Sequence, residues 1–243
     1  MSRLILLFTS VIVATLFTIN AFWLQLNGHS TIDIINRLPL LFAPANYVYY
    51  IWIVIFIFLF LWIYNYTKLR RTDFFITNYQ TILFMLAVVL QIAYLWSWHS
   101  DYFIISTVIL LMQVVVLFGL YFSYPLKKEL FTARMPIAIF FSWSTFLLLL
   151  QCCYLLIEYQ WSGFGISNAL WAVIIMTIGT AIALHLRYHH FDTAYPIVFS
   201  WCYIGIAAQN GFNELLVTTA ALFLAGVMVV GVFLIKKAYH PPK

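Results

Sequence analysis

An all-α integral membrane bundle of about eight transmembrane helices is the fold this sequence predicts, on three observations. The 243 residues are 65% hydrophobic and only 8% charged, against roughly 25% charged in soluble domains. Apolar runs of about 18 to 25 residues recur along the chain, each long enough to cross ~30 Å of hydrocarbon as a helix. Runs such as IWIVIFIFLFLWIY, residues 51–64, do not alternate apolar and polar residues as membrane β-strands do.

The spans expected in order are 4–23, 44–64, 77–98, 102–124, 134–157, 167–186, 193–209 and 215–235. The first follows Arg3 but lacks a small-x-small cleavage site, and its apolar stretch is too long for a signal peptide. It reads as an uncleaved span. Three spans open on a proline with a tryptophan behind it: Pro44 and Trp52, Pro136 and Trp143, Pro196 and Trp201. Proline in a first helical turn loses no backbone bond and fixes φ. The seventh span is the shortest. Small residues four apart, Gly179 with Ala183 and Ala221 with Ala225, suit close helix contact, either inside the bundle or between the copies of a homodimer. Most links are short, so neighbouring helices run antiparallel. The longest link, 24–43, mixes polar residues with Ile, Leu and Phe and is expected to lie over one end of the bundle.

Charge tests this count independently. With eight spans, one side receives Arg3, Lys68, Arg70, Arg71, Lys127, Lys128, Arg134, Arg187, Lys236, Lys237 and Lys243; the other receives only Arg37. Such segregation follows the positive-inside bias, with both termini cytoplasmic in a cell membrane. The basic excess therefore reports topology and contact with the lipid bilayer, and no nucleic-acid partner is expected.

The spans carry no Asp, Glu, Lys or Arg in their predicted hydrocarbon portions, although pumps and proton-coupled carriers need such groups. No H-E-x-x-H, G-x-S-x-G or glycine-rich phosphate loop occurs, so nothing nominates an enzyme. The three cysteines, Cys152, Cys153 and Cys202, fall within spans and read as small buried apolar residues. His185 and His189 stand one helical turn apart, a spacing that can hold a metal, but beside Arg187 they read as ordinary interface residues. No metal site is expected.

What remains is a layer of amides and aromatic rings. At ~1.5 Å per residue, Asn20 lies near the outer end of the first span, and Gln91, Tyr94, Trp96 and Trp98 in the outer half of the third. Gln151 is high in the fifth, and Tyr49, Tyr50 and Trp52 enter the second at the same level. Tyr49, Trp52 and Phe56 share a helix face. The layer reads either as an aromatic belt at the membrane interface or as the wall of an apolar cavity with a few orienting amides.

The same residues carry a resemblance. LFAPANYVYYIWIVIF, residues 41–56, resembles the second-helix signature of the TspO/MBR family (tryptophan-rich sensory or translocator proteins), above all its longer bacterial relatives. QIAYLWSWH, RMPIAIFFSWSTFLLLLQ and FDTAYPIVFSWCYIGIAAQN resemble three later stretches of that longer form. Gln91 and Gln151 stand where the family has Asn, and Tyr94 where it has Trp. The resemblance implies a five-helix pocket beneath the first loop that takes porphyrins and other flat hydrophobic molecules, for sensing or transport. It implicates Pro44, Tyr50, Trp52, Trp98, Trp143 and Gln151, to which the layer adds Asn20, Tyr49, Gln91 and Tyr94. Residues 1–158 would then be the TspO-like five-helix region, and 159–243 a further three-helix region packed in the same bundle. No cofactor is implied beyond a porphyrin- or haem-type ligand. A structural or partner-binding membrane protein, or a facilitative carrier of an uncharged lipid-like substrate, stands as the alternative.

Overall fold

The computed structural model describes residues 2–69, 77–124 and 131–235. Nine α-helices are found among the described residues: α1 (Ser2–Trp23), α2 (Thr31–Asn36), α3 (Ile51–Leu69), α4 (Asn78–His99), α5 (Phe103–Phe122), α6 (Phe131–Glu158), α7 (Asn168–His190), α8 (Ala194–Asn210) and α9 (Leu215–Leu234). No strand occurs among them. Arg70, Arg71, Lys127, Lys128, Lys236, Lys237 and Lys243, on which much of the expected charge segregation rests, lie outside the described residues.

Eight of the helices run between two ends. At one end, under the 24–43 link, Arg37 lies beside Asp101 and Glu158, the Asn27 side chain donates to the His99 carbonyl, and that of Asn210 to the Leu41 carbonyl. At the other, Tyr121 donates to Asp192, Arg134 to the His190 carbonyl, and Arg187 to the Val232 carbonyl. Seven helices are long and apolar enough to span a membrane. The eighth, α8, has 17 residues, about 25 Å at the helical rise. It still reaches from Asp192, which accepts from the Tyr195 N–H, to Asn210 at the link end. Its shortness is tolerable because protein surrounds most of it: α6, α7, α9 and the start of the second span all pack on it.

Contacts between helices close a ring in the order α1, α3, α6, α5, α4 and back to α1. Helix α6 is the most enclosed of the long helices. Lipid tails are as apolar as leucine, so packing and hydrogen bonds, not exclusion from water, hold such helices together. The small-residue pairs serve that packing inside the bundle. Gly179 meets Phe199 and Tyr203 of α8, and Ala183, Ala221 and Ala225 are buried.

Three local expectations are corrected. The second span opens as a 3-10 turn, Asn46–Tyr50, and Pro44 stands before it, not in a first α-helical turn. Here the Ala45 N–H donates to the Gly205 carbonyl, and a Cβ at Gly205 would collide with the Val48 side chain and press on Pro44. Pro44 is thus held by the docking of α8, which a glycine alone permits. Helix α6 begins before Arg134, leaving Pro136 inside it. Cys152 is exposed, while Cys153 and Cys202 are buried; all three are free.

Candidate ligand-binding site

The 24–43 link forms a plug over the ring. Ser30 caps α2: its hydroxyl accepts from the Asp33 N–H while the Asp33 carboxylate accepts from the Ser30 N–H. Those bonds from Ser30 hold the Asp33 carboxyl below its ordinary value. The cap is therefore intact above the usual carboxylate range near 4 and is lost only as pH falls through the lowered value. The capped helix turns Thr31, Ile34 and Ile35 inward. Thr31 donates to the Ala21 carbonyl, and His99 Nε2 lies 3.1 Å from the same oxygen, tying the plug to α1 and α4.

Beneath the plug lies a cavity of about 10 Å³ lined by Phe22, Thr31, Ile35, Tyr94, Trp98, Leu147, Leu150, Gln151 and Tyr154. That is room for a single water at most. The site stands closed, and a larger guest requires the plug or the rings to move. A roomier hollow of about 50 Å³ lies between α6, α7 and residues 40–42. Among its lining residues no buried polar side-chain atom lacks a partner, so nothing there calls for a polar guest.

The ten expected site residues divide. Tyr94, Trp98 and Gln151 line the cavity. Tyr49, Trp52 and Trp143 form the adjoining cluster: Phe22, itself in the cavity wall, lies 5.6 Å from Tyr49 and 5.9 Å from Trp52 between ring centres. Trp52 and Trp143 meet edge to face at 6.0 Å. Gln91 stands behind Tyr94, donating to its hydroxyl at 3.4 Å while accepting from Gln113 at 2.8 Å. Pro44 belongs to the α8 contact. Tyr50 is exposed and stacks on Trp23, and Asn20 is half-buried away from the cavity lining.

Six lining residues are not among those expected from the sequence: Phe22, Thr31, Ile35, Leu147, Leu150 and Tyr154. The S-T-I-D pattern at 30–33 is a capping-box signature that could have located α2, and hence Thr31 and Ile35. Tyr154 follows Gln151 by three residues, one helical turn along the same face.

The polar atoms around this centre are unusual. Trp52 Nε1, Trp98 Nε1, Trp143 Nε1, Tyr49 OH and Gln151 Oε1 are buried with no hydrogen-bond partner among the described residues. Thr18, Gln113, Ser144, Arg187 and Tyr195 each have one such atom elsewhere. The indoles discriminate. Trp62 donates to Tyr124 OH, Trp171 to the Gly163 carbonyl and Trp201 to the Val48 carbonyl, whereas the three indoles of the site donate to nothing. Each buried group left unpaired costs about 1–3 kcal/mol, and an edge-on ring offers only a weak N–H···π contact in exchange.

Arg37 fastens the plug. Its Nη2 donates to Tyr154 OH at 2.8 Å, its guanidinium lies 5.3 Å above the Phe103 ring, and Asp101 and Glu158 sit at 3.7 and 3.8 Å. Phe103 and Tyr154 both pack on Trp98, at 4.9 and 4.8 Å.

Helices, plug and cavity together define a class: a multi-pass helical membrane protein with a closed, aromatic-walled cavity under its longest link. The sequence matches the family described as TSPO-like protein over residues 4–234, and the chain belongs to that family. The match runs through α7, α8 and α9 as well as the ring. Neither the curated proteins nor the solved structures contain a match to this chain.

Removing the fastening should loosen the plug. With a single cysteine at Thr31 on a Cys-free background, Arg37→Gln should raise the rate of labelling by a water-soluble maleimide about 3- to 10-fold. That range corresponds to one lost hydrogen bond and two weak ion pairs. An unchanged rate would mean that Arg37 does not hold α2 down.

Proposed function

We propose that this protein binds a hydrophobic, planar small molecule of tetrapyrrole-like shape in the cavity under α2, for sensing or transport. The observation that carries the reading is the group of three buried indole N–H donors with nothing to donate to, gathered beside one apolar cavity. Membership of the TSPO-like family supports it. On this reading α1, α3, α4, α5 and α6 form the binding unit, and α7, α8 and α9 brace it through α8. Binding proceeds by ring stacking and shape, with the unpaired groups giving orientation, and needs no covalent chemistry. A packing role alone would leave the indole donors without purpose, which disfavours the purely structural alternative.

The orientation we propose, with both termini cytoplasmic in the cell membrane, rests on the distribution of basic residues. A membrane-impermeant maleimide applied to intact cells should then label a cysteine at Arg37 and spare one at Lys243; the reverse pattern would invert the topology.

Ligand binding is read by tryptophan fluorescence of the purified full chain. Micromolar protoporphyrin dimethyl ester, a neutral planar probe, should quench it saturably, and Trp98→Leu or Trp143→Leu should each weaken binding about tenfold, as the loss of a stacking partner and a donor implies. Absence of saturable quenching would overturn the reading.

A further inference from the structure

In the sequence, Arg187 between His185 and His189 speaks against a metal there. In the structure its guanidinium is committed elsewhere: Nη1 donates to the Phe191 carbonyl and Nη2 to the Val232 carbonyl of α9. The two imidazoles are exposed on the last turns of α7, at the end away from the plug. Their neighbours leave them to one another. His190 meets the Phe122 ring edge-on at 4.6 Å, and the Asp192 carboxylate is taken by Tyr121 and the Tyr195 N–H. Tyr188 touches His189 only through the edge of its ring, at 4.8 Å. Neither imidazole of the pair has a hydrogen-bond partner among the described residues.

The ring centres of His185 and His189 are 4.4 Å apart, with the planes inclined at 40°. Aromatic pairs prefer parallel offset stacking or an edge-to-face approach, and this tilt is neither. Shared coordination fits it better. Imidazole nitrogens bind zinc at about 2.0–2.1 Å, and two of them meeting one ion at a right to tetrahedral angle put their ring centres roughly 4.5 to 5 Å apart. The rings therefore need to move little to hold an ion. The helix favours a cation at the same place, because the last carbonyls of α7 carry a partial negative charge.

We infer that His185 and His189 form a two-histidine chelate for a divalent transition-metal ion of the zinc and copper type, each ring giving one nitrogen in its neutral form. No group of three or more His, Cys, Asp or Glu side chains suited to a metal exists among the described residues. Oxygen donors from water or lipid phosphate fill the other positions, so the site is open and its metal exchangeable, unlike a closed four-ligand structural site. The chelate spans one helical turn and ends beside Phe191, the left-handed residue (φ 54°) at which the chain leaves α7 for α8. Bound metal stiffens that corner. The site is separate from the cavity under α2 and does not depend on what that cavity binds.

The test uses the full chain, purified without a polyhistidine tag and held in nanodiscs of zwitterionic lipid. Zinc ion is titrated in competition with a chromogenic zinc indicator. One ion per chain should bind in the micromolar range, and His185→Ala and His189→Ala should each weaken that binding at least tenfold, since loss of even a supporting group beyond the ligands costs about 10- to 100-fold. Both positions are exposed, so neither substitution disturbs the packing of the bundle. His29→Ala, an exposed histidine on the plug link, should leave the affinity unchanged. Cupric ion gives a second reading. Its electron paramagnetic resonance spectrum should show coupling to two imidazole nitrogens, reduced to one in either single variant. Zinc affinity indifferent to both substitutions, or a copper spectrum with a single imidazole nitrogen in the unsubstituted chain, overturns the inference. So does the absence of stoichiometric zinc binding at micromolar concentrations.

Discussion

A buried indole has one hydrogen to donate and, within hydrocarbon, no water to receive it. Many polar side chains of the interior meet the same demand. Amides pair with amides, as Gln113 does with Gln91; threonine and serine hydroxyls turn back to carbonyls one helical turn earlier, as at Thr107, Thr145 and Thr180; and Trp62 and Trp171 each find an oxygen. Hydroxyls can rotate to reach such a carbonyl, but an indole N–H is fixed by its ring. The failure of Trp52, Trp98 and Trp143 to find acceptors is therefore a property of the architecture around them.

That architecture is organised by α6, which closes the ring against α3 and α5 and carries α8 on another side. One helix thus brings Trp143, Gln151 and Tyr154 to the centre while anchoring the last three helices. Its far end supplies Glu158 to Arg37, so the wall of the cavity and the fastening of its plug are parts of the same element. With the plug fastened the cavity has room for about one water, so the proposed binding of a larger molecule would require movement of α2, of the rings beneath it, or of both. Surface ion pairs such as those of Arg37 contribute little individually, so the ionic part of the fastening is weak.

Much of the fold is legible in the sequence because hydrocarbon imposes length and apolarity on each span directly. Even the shortest span, α8, is found where the apolar run and Pro196 place it. The site is legible only by depth. Tyr49, Trp52, Tyr94, Trp98 and Gln151 are separable from the bulk as polar-tipped groups in one layer, whereas Trp143 enters only through the family resemblance; the six side chains lie in the cavity wall or in the cluster beside it. Depth says nothing of azimuth, and Tyr50 is the case in point: it sits at the right level but belongs to a 3-10 turn, whose tighter winding carries it outward onto Trp23. Gln91 was placed at the right depth too, but its partner Gln113 comes from another helix, which no local pattern encodes. Pro44 is held by an α8 contact more than 150 residues away in sequence, and Phe22 is indistinguishable from any other apolar residue of α1 until the helices are packed.

The central claim is that the three unpaired indole donors face a place for a guest. Nitrogen-15 labelling of tryptophan resolves each indole N–H in an NMR spectrum, and Trp62 and Trp171, whose donors are already taken, serve as internal references. On addition of a neutral porphyrin the resonances of Trp52, Trp98 and Trp143 should move while those of the two references stay. Movement confined to the exposed Trp96 and Trp201, or no movement at all, would contradict the account.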